Sequence, residues 1–119
     1  MFREAIQSVV DGVDGGLAGM LMDLEGIPVD SYIRGDVHLD TEAVGAEASV
    51  LVKSIQRASE MLDAGSAREV SIQSERMVTL IRVLNDSYFI AVTLLPGGNL
   101  GKARYLLRVL APRLVSELS

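Results

Sequence analysis

REVSIQSERMVTLIRVLNDSYFIAVTLL, residues 68–95, is the stretch on which the fold turns. In 68–74, Val70 and Ile72 alternate with Glu69, Ser71 and Gln73, the period of a strand with one wet face. Residues 76–84 and 87–95 are longer and richer in the β-branched and aromatic residues that suit a pleated surface. Ser74-Glu75 and Asn85-Asp86 separate the three as tight hairpin turns. The stretch reads as an uninterrupted antiparallel meander. Its first strand is short, has no evident partner on its far side, and carries no Lys or Pro to block pairing, so it is an open edge.

The chain then continues as LLPGGNLGKARY, 94–105. Glycines running into Gly101-Lys102 after a strand invite a phosphate-loop reading. That loop needs Gly, four residues, then Gly-Lys-Ser/Thr. Here Gly97 is one residue too close, position 96 is Pro, and position 103 is Ala, which has no hydroxyl for magnesium. The structural reading is a tight turn with Asn99 as N-cap of a last helix, on which Leu100, Ala103, Leu107, Leu110 and Leu114 share a stripe. Pro112 cannot donate to residue 108, so a kink or restart is expected there.

On the N-terminal side, residues 40–63 form the longest helix, with Asp40 or Thr41 as N-cap and Gly65 as stop. Val44, Ala48, Leu51, Ile55, Ala58 and Leu62 make its apolar stripe, widened by Ala43, Ala46, Val50 and Met61. Its first half is small in side chain (Ala43, Gly45, Ala46, Ala48, Ser49), which lets another backbone approach closely. Before it, LAGMLMD (17–23) is apolar on both faces, as in a central strand. IPVDSYIR (27–34) follows a glycine turn, with Ile27, Val29 and Ile33 as its inward face and Pro28 leaving one side unpaired. Residues 2–13 are an amphipathic helix on Phe2, Ile6, Val9, Val10 and Val13. The order helix, two strands, helix, three strands, helix defines one α+β domain over 1–119, a five-stranded antiparallel sheet with helices on its faces.

With 119 residues and 49% apolar content the chain can build one core. Its net charge of −5 opposes nucleic acid and anionic membrane surfaces. It has no cysteine, no long apolar run and no signal-peptide pattern at MFREAIQSVV, so a cytoplasmic protein without membrane insertion is expected. Lone His38 reads as a solvated loop residue, because metal sites need several converging ligands. The acids are scattered, and Ser74 and Ser87 have no histidine base, so no catalytic residue, metal or cofactor is expected. Arg104 and Arg108, one turn apart, read as a solvated face bonding to local carboxylates.

GGLAGMLMDLEGIPVDSY and SYFIAVTLLPGGNLGKARYLLR carry a resemblance over nearly the whole chain. The first is an apolar strand, an acidic glycine turn and a second strand with Pro near its start. The second is a last strand, a short turn and an Asn-Leu-Gly helix opening. Together they resemble the roadblock/LC7 family, particularly its small prokaryotic members that partner Ras-like GTPases. The resemblance implies the first and last helices on one face of the sheet and the long middle helix on the other. It implies a homodimer joined through Val70, Ser71, Ile72 and Gln73 of the edge strand, with Ala48 and Leu51 of the middle helix. It implies regulation or scaffolding of a small Ras-like GTPase through Ala43, Ala46, Glu47, Val50, Ser54 and Arg57. Arg57, on a rigid helix, is not read as an arginine finger. The alternative is a structural adaptor of dynein-light-chain type, indifferent to nucleotide state.

Overall fold

A computed structural model describes residues 2–119. The elements run α1 (Phe2–Asp11), β1 (Gly16–Asp23), β2 (Pro28–Ile33), α2 (Thr41–Met61), β3 (Glu69–Gln73), β4 (Val78–Val83), β5 (Tyr88–Leu94) and α3 (Leu100–Leu118). Every strand pairing is antiparallel, in the order β2-β1-β5-β4-β3. β1 and β5 are the middle of the sheet and are buried along nearly their whole length, as the two-sided apolar run of β1 requires.

Two apolar clusters sandwich the sheet. Ile6, Val9 and Val10 of α1 and Ala103, Leu107 and Leu114 of α3 pack on Leu21, Leu80, Ile90 and Val92. On the other face Val52, Val44, Ala48 and Leu51 of α2 pack with Met20, Met22, Ile81, Phe89 and Ala91. The expected layering, α1 and α3 on one side and α2 on the other, is what the chain adopts.

Local chemistry fixes the joints. In Leu95-Pro96-Gly97-Gly98, proline precedes Gly97 at φ 85°, and the Gly98 N–H donates to the Leu95 carbonyl at 3.0 Å. Asn99 then caps α3, its Oδ1 accepting from the Lys102 N–H at 3.0 Å. Asp40 caps α2 by accepting from the Glu42 and Ala43 amides. Glu69 ties the β3 edge to α3: its carboxylate lies 2.7 Å from Arg104 Nε and 3.9 Å from Arg82 Nη1. Asp11 accepts from the Tyr32 hydroxyl at 3.0 Å, joining α1 to β2, and Arg3 lies over the Tyr32 ring.

Four sequence expectations are corrected. α3 runs unbroken through Pro112; proline costs one bond to residue 108, and Leu107, Ala111 and Leu114 hold both halves in the core. α2 stops at Met61, where Asp63 takes the left-handed conformation (φ 55°) before Gly65 is reached. Ala58, Met61 and Leu62 are exposed, because the inward stripe runs through Gly45, Ser49 and Val52. On β2 the expected inward face fails at Ile27 and Val29, which are exposed. A register shift opposite Leu21 and Met22 breaks the two-residue repeat at that end.

Candidate interaction face

The position of α2 is set by one close approach. A Cβ on Gly45 would lie 2.6 Å from the Gly26 carbonyl oxygen, so the helix rests backbone-to-backbone on the β1–β2 turn. Ser49 is buried at the same contact and donates to the Ala46 carbonyl at 2.9 Å. At the other end Gln56 exchanges two hydrogen bonds with Ala67, 2.9 and 3.1 Å, pinning α2 to the lead-in of β3. The small-residue half of α2 thus divides. Gly45 and Ser49 serve the fold, while Ala43 and Ala46 face solvent.

This placement leaves part of the sheet uncovered. An apolar groove of about 510 Å³ lies between the first half of α2 and the β3 side of the sheet. Leu39, Ala43, Val44, Glu47, Ala48 and Leu51 form its wall. Ile72, Met77, Thr79, Ile81, Ala91 and Thr93 form its floor. The Thr93 hydroxyl is buried there and has no hydrogen-bond partner among the described residues. Ile72, at the groove's outer limit, belongs to β3, whose far side pairs with no described strand.

The two sheet edges differ. β2 carries Pro28 and the register shift, both of which spoil an edge for strand addition. β3 pairs in regular register with β4 over five residues and has neither device. α2 exposes Val50 (65%) and Met61 (82%), and its C-cap Leu62 is exposed too (78%).

The residues singled out from the sequence fall into four places. Ala43, Glu47, Ala48, Leu51 and Ile72 converge on the groove, with Val70 packed just inside it. Ser71 and Gln73 are exposed on β3. Ala46, Val50 and Ser54 are exposed on α2 outside the groove wall, and Arg57 lines a separate shallow cleft with Lys53 and Glu60. Sequence reasoning missed Thr79 and Thr93 on the floor, although their cross-strand pairing follows from aligning β4 and β5. It also placed Met61 and Leu62 inward. Among the described residues no three His, Asp or Glu side chains gather in metal-binding geometry, and His38 is exposed.

An antiparallel five-stranded sheet between one helix and two is the profilin-like architecture. The Roadblock/LC7 domain model matches residues 4–94, and the chain belongs to the roadblock/LC7 family. MglC from Myxococcus xanthus is 38% identical over 98% of both chains, with a TM-score of 0.70. The gliding protein MglB from Thermus thermophilus is 14% identical over 98% of this chain and 88% of its own, TM-score 0.86. Profilin IA of Acanthamoeba castellanii shares the fold at 10% identity, full coverage of both and TM-score 0.66. No curated protein matches by sequence.

Proposed function

We infer that the chain is a homodimeric, non-catalytic regulator or co-regulator of a small Ras-like GTPase, acting in a gliding or cell-polarity system. The observation that carries this reading is the unguarded β3 edge running beside an open apolar groove. A second copy adding its β3 antiparallel to the first would satisfy the free backbone groups. Its helix would reach Ala48, Leu51 and Ile72. A stable interface takes about 800 Å² from each partner, and the groove beside β3 is lined mainly by apolar side chains that such an interface would cover. Family membership and the likeness to MglC and MglB support the GTPase side of the reading.

In the dimer, the surface offered to the GTPase is Ala46, Val50, Ser54 and Arg57 outside the groove, with the exposed sides of Ala43 and Glu47 at its rim, acting by protein–protein contact. Work in the cytoplasm fits this role; no described helix is long and apolar enough to cross a membrane. The test is binding and GTP hydrolysis with the cognate GTPase, loaded with GDP or a GTP analogue. Nucleotide-dependent affinity supports the reading. Equal affinity in both states moves the chain to the adaptor class, and no binding in either removes the GTPase.

A further inference from the structure

The helix layer on the opposite side of the sheet holds a second surface of different chemistry. The chain carries 16 acidic against 11 basic residues, yet α3 bears Lys102, Arg104, Arg108 and Arg113 with Glu117 as its one acid. Arg104 is bound to Glu69 and Arg113 to Glu117, at 2.7 and 3.3 Å. Arg108 has no carboxylate among the described residues; its guanidinium lies 5.8 Å from the Tyr105 ring centroid. Tyr105 (54%) and Val109 (58%) are exposed one turn apart. Beside them an apolar cleft of about 240 Å³ opens between α1 and α3, lined by Ser8, Val9, Leu106, Val109, Leu110 and Arg113.

We propose that this α1–α3 face docks an acidic amphipathic helix of another protein. The cleft between two packed helices takes an apolar side chain from a third, as ridges enter grooves. Tyr105 supplies a stiff aromatic contact, and tyrosine and arginine are the residue types that dominate interface energies. Lys102 and Arg108 then meet the visitor's carboxylates. A membrane is the weaker match. Lipid headgroups are held by clusters of four to eight free cations, whereas two of the four on α3 are neutralised within the fold. Because this face lies across the sheet from the groove, and Arg104, which holds Glu69 of β3, is not one of the docking residues, docking here leaves self-pairing undisturbed. The docked helix is independent of any GTPase bound at the α2 face.

The probe is a capped amphipathic peptide with leucines at i, i+3, i+4 and i+7 and glutamates between. It is titrated into the isotope-labelled full chain and followed by amide chemical shifts. Saturable shifts are expected at Ser8, Lys102, Tyr105, Arg108 and Val109. Tyr105→Ala and Arg108→Glu, both at exposed positions, should each weaken binding about fivefold or more while leaving the unfolding midpoint in place. Binding should also weaken with salt, as the screening length falls from about 10 Å at 0.1 M to about 3 Å at 1 M. Equal binding of a peptide with the leucines scattered, or unchanged binding by both variants, would overturn the proposal. So would shifts confined to α2 and β3. Binding of phosphatidylserine vesicles with no response to the peptide would assign the face to a membrane instead, and concentration-dependent assembly abolished by Arg108→Glu would assign it to a second copy.

Discussion

At the scale of the residue, Gly45 has the largest structural consequence for its size. Alanine there would gain about 1 kcal/mol of helix propensity, but its Cβ would sit 2.6 Å from a backbone oxygen. Overpacking against backbone costs about 1–3 kcal/mol, so the clash prevails. Gly45→Ala is expected to lower the urea midpoint, whereas Gly101→Ala, with nothing nearer than 3.7 Å, is not. Tyr32 gives a pH signature. Partial desolvation, then the hydrogen bond and charge of Asp11, raise its pKa above the ordinary 10.0, against the opposing pull of Arg34 and Arg3. A folded-state pKa above the unfolded one gives stability that is complete below pH 10.0 and lost as pH rises through the folded value. Tyr32→Phe should remove that alkaline component, which unfolding curves at neutral and alkaline pH would reveal. The glycine at 45 was visible in the sequence as part of a small-residue run. That its neighbour would be Gly26 of the same chain was not, because small side chains permit an approach without saying what approaches.

At the scale of the element, α3 shows packing prevailing over propensity. Pro112 interrupts the hydrogen-bond ladder, yet the helix continues because Ala111 and Leu114 are buried on either side of it. Pro112→Ala should stabilise the chain by up to about 3 kcal/mol, read as a raised denaturation midpoint. β3 makes the opposite case, an element whose stability depends on what lies outside it. Its Val70 packs inward while Ile72 is 37% exposed at the groove. Ile72→Lys places a charge on the edge, the device by which natural edges are kept apart. It should leave the monomer fold in place, checked by circular dichroism, and weaken self-association. Strand and helix order were legible from period and turn chemistry alone, with the meander 68–95 fixing the class. The inward face of α2 was read correctly at Val44, Ala48 and Leu51 and misplaced at Ala58, Met61 and Leu62, while the most buried line through Gly45, Ser49 and Val52 was missed. Alanine, glycine and serine give the apolar period little contrast over its first half, and the true stripe runs through two of them.

At the scale of the whole molecule, the two faces divide the work. The α2 face joins an edge and an apolar groove, and among the described residues neither that edge nor the Thr93 hydroxyl at the groove floor has a partner. On the opposite face α3 is basic and exposes an aromatic side chain on an otherwise acidic chain. The groove itself was not legible in the sequence. Its walls are ordinary core residues, and it exists only because the resting of α2 on Gly26 leaves the β3 side of the sheet bare. Covering that groove with the partner's helix should also protect the β3 amides. Their hydrogen exchange is expected to slow as protein concentration rises, an effect lost in Ile72→Lys. The most direct measurement is sedimentation equilibrium of the full chain over a range of concentrations. Self-pairing through β3 gives twice the 12.8 kDa protomer mass for the native chain and a single protomer for a folded Ile72→Lys. A native chain that stays at 12.8 kDa throughout, or a dimer that Ile72→Lys leaves intact, would contradict it.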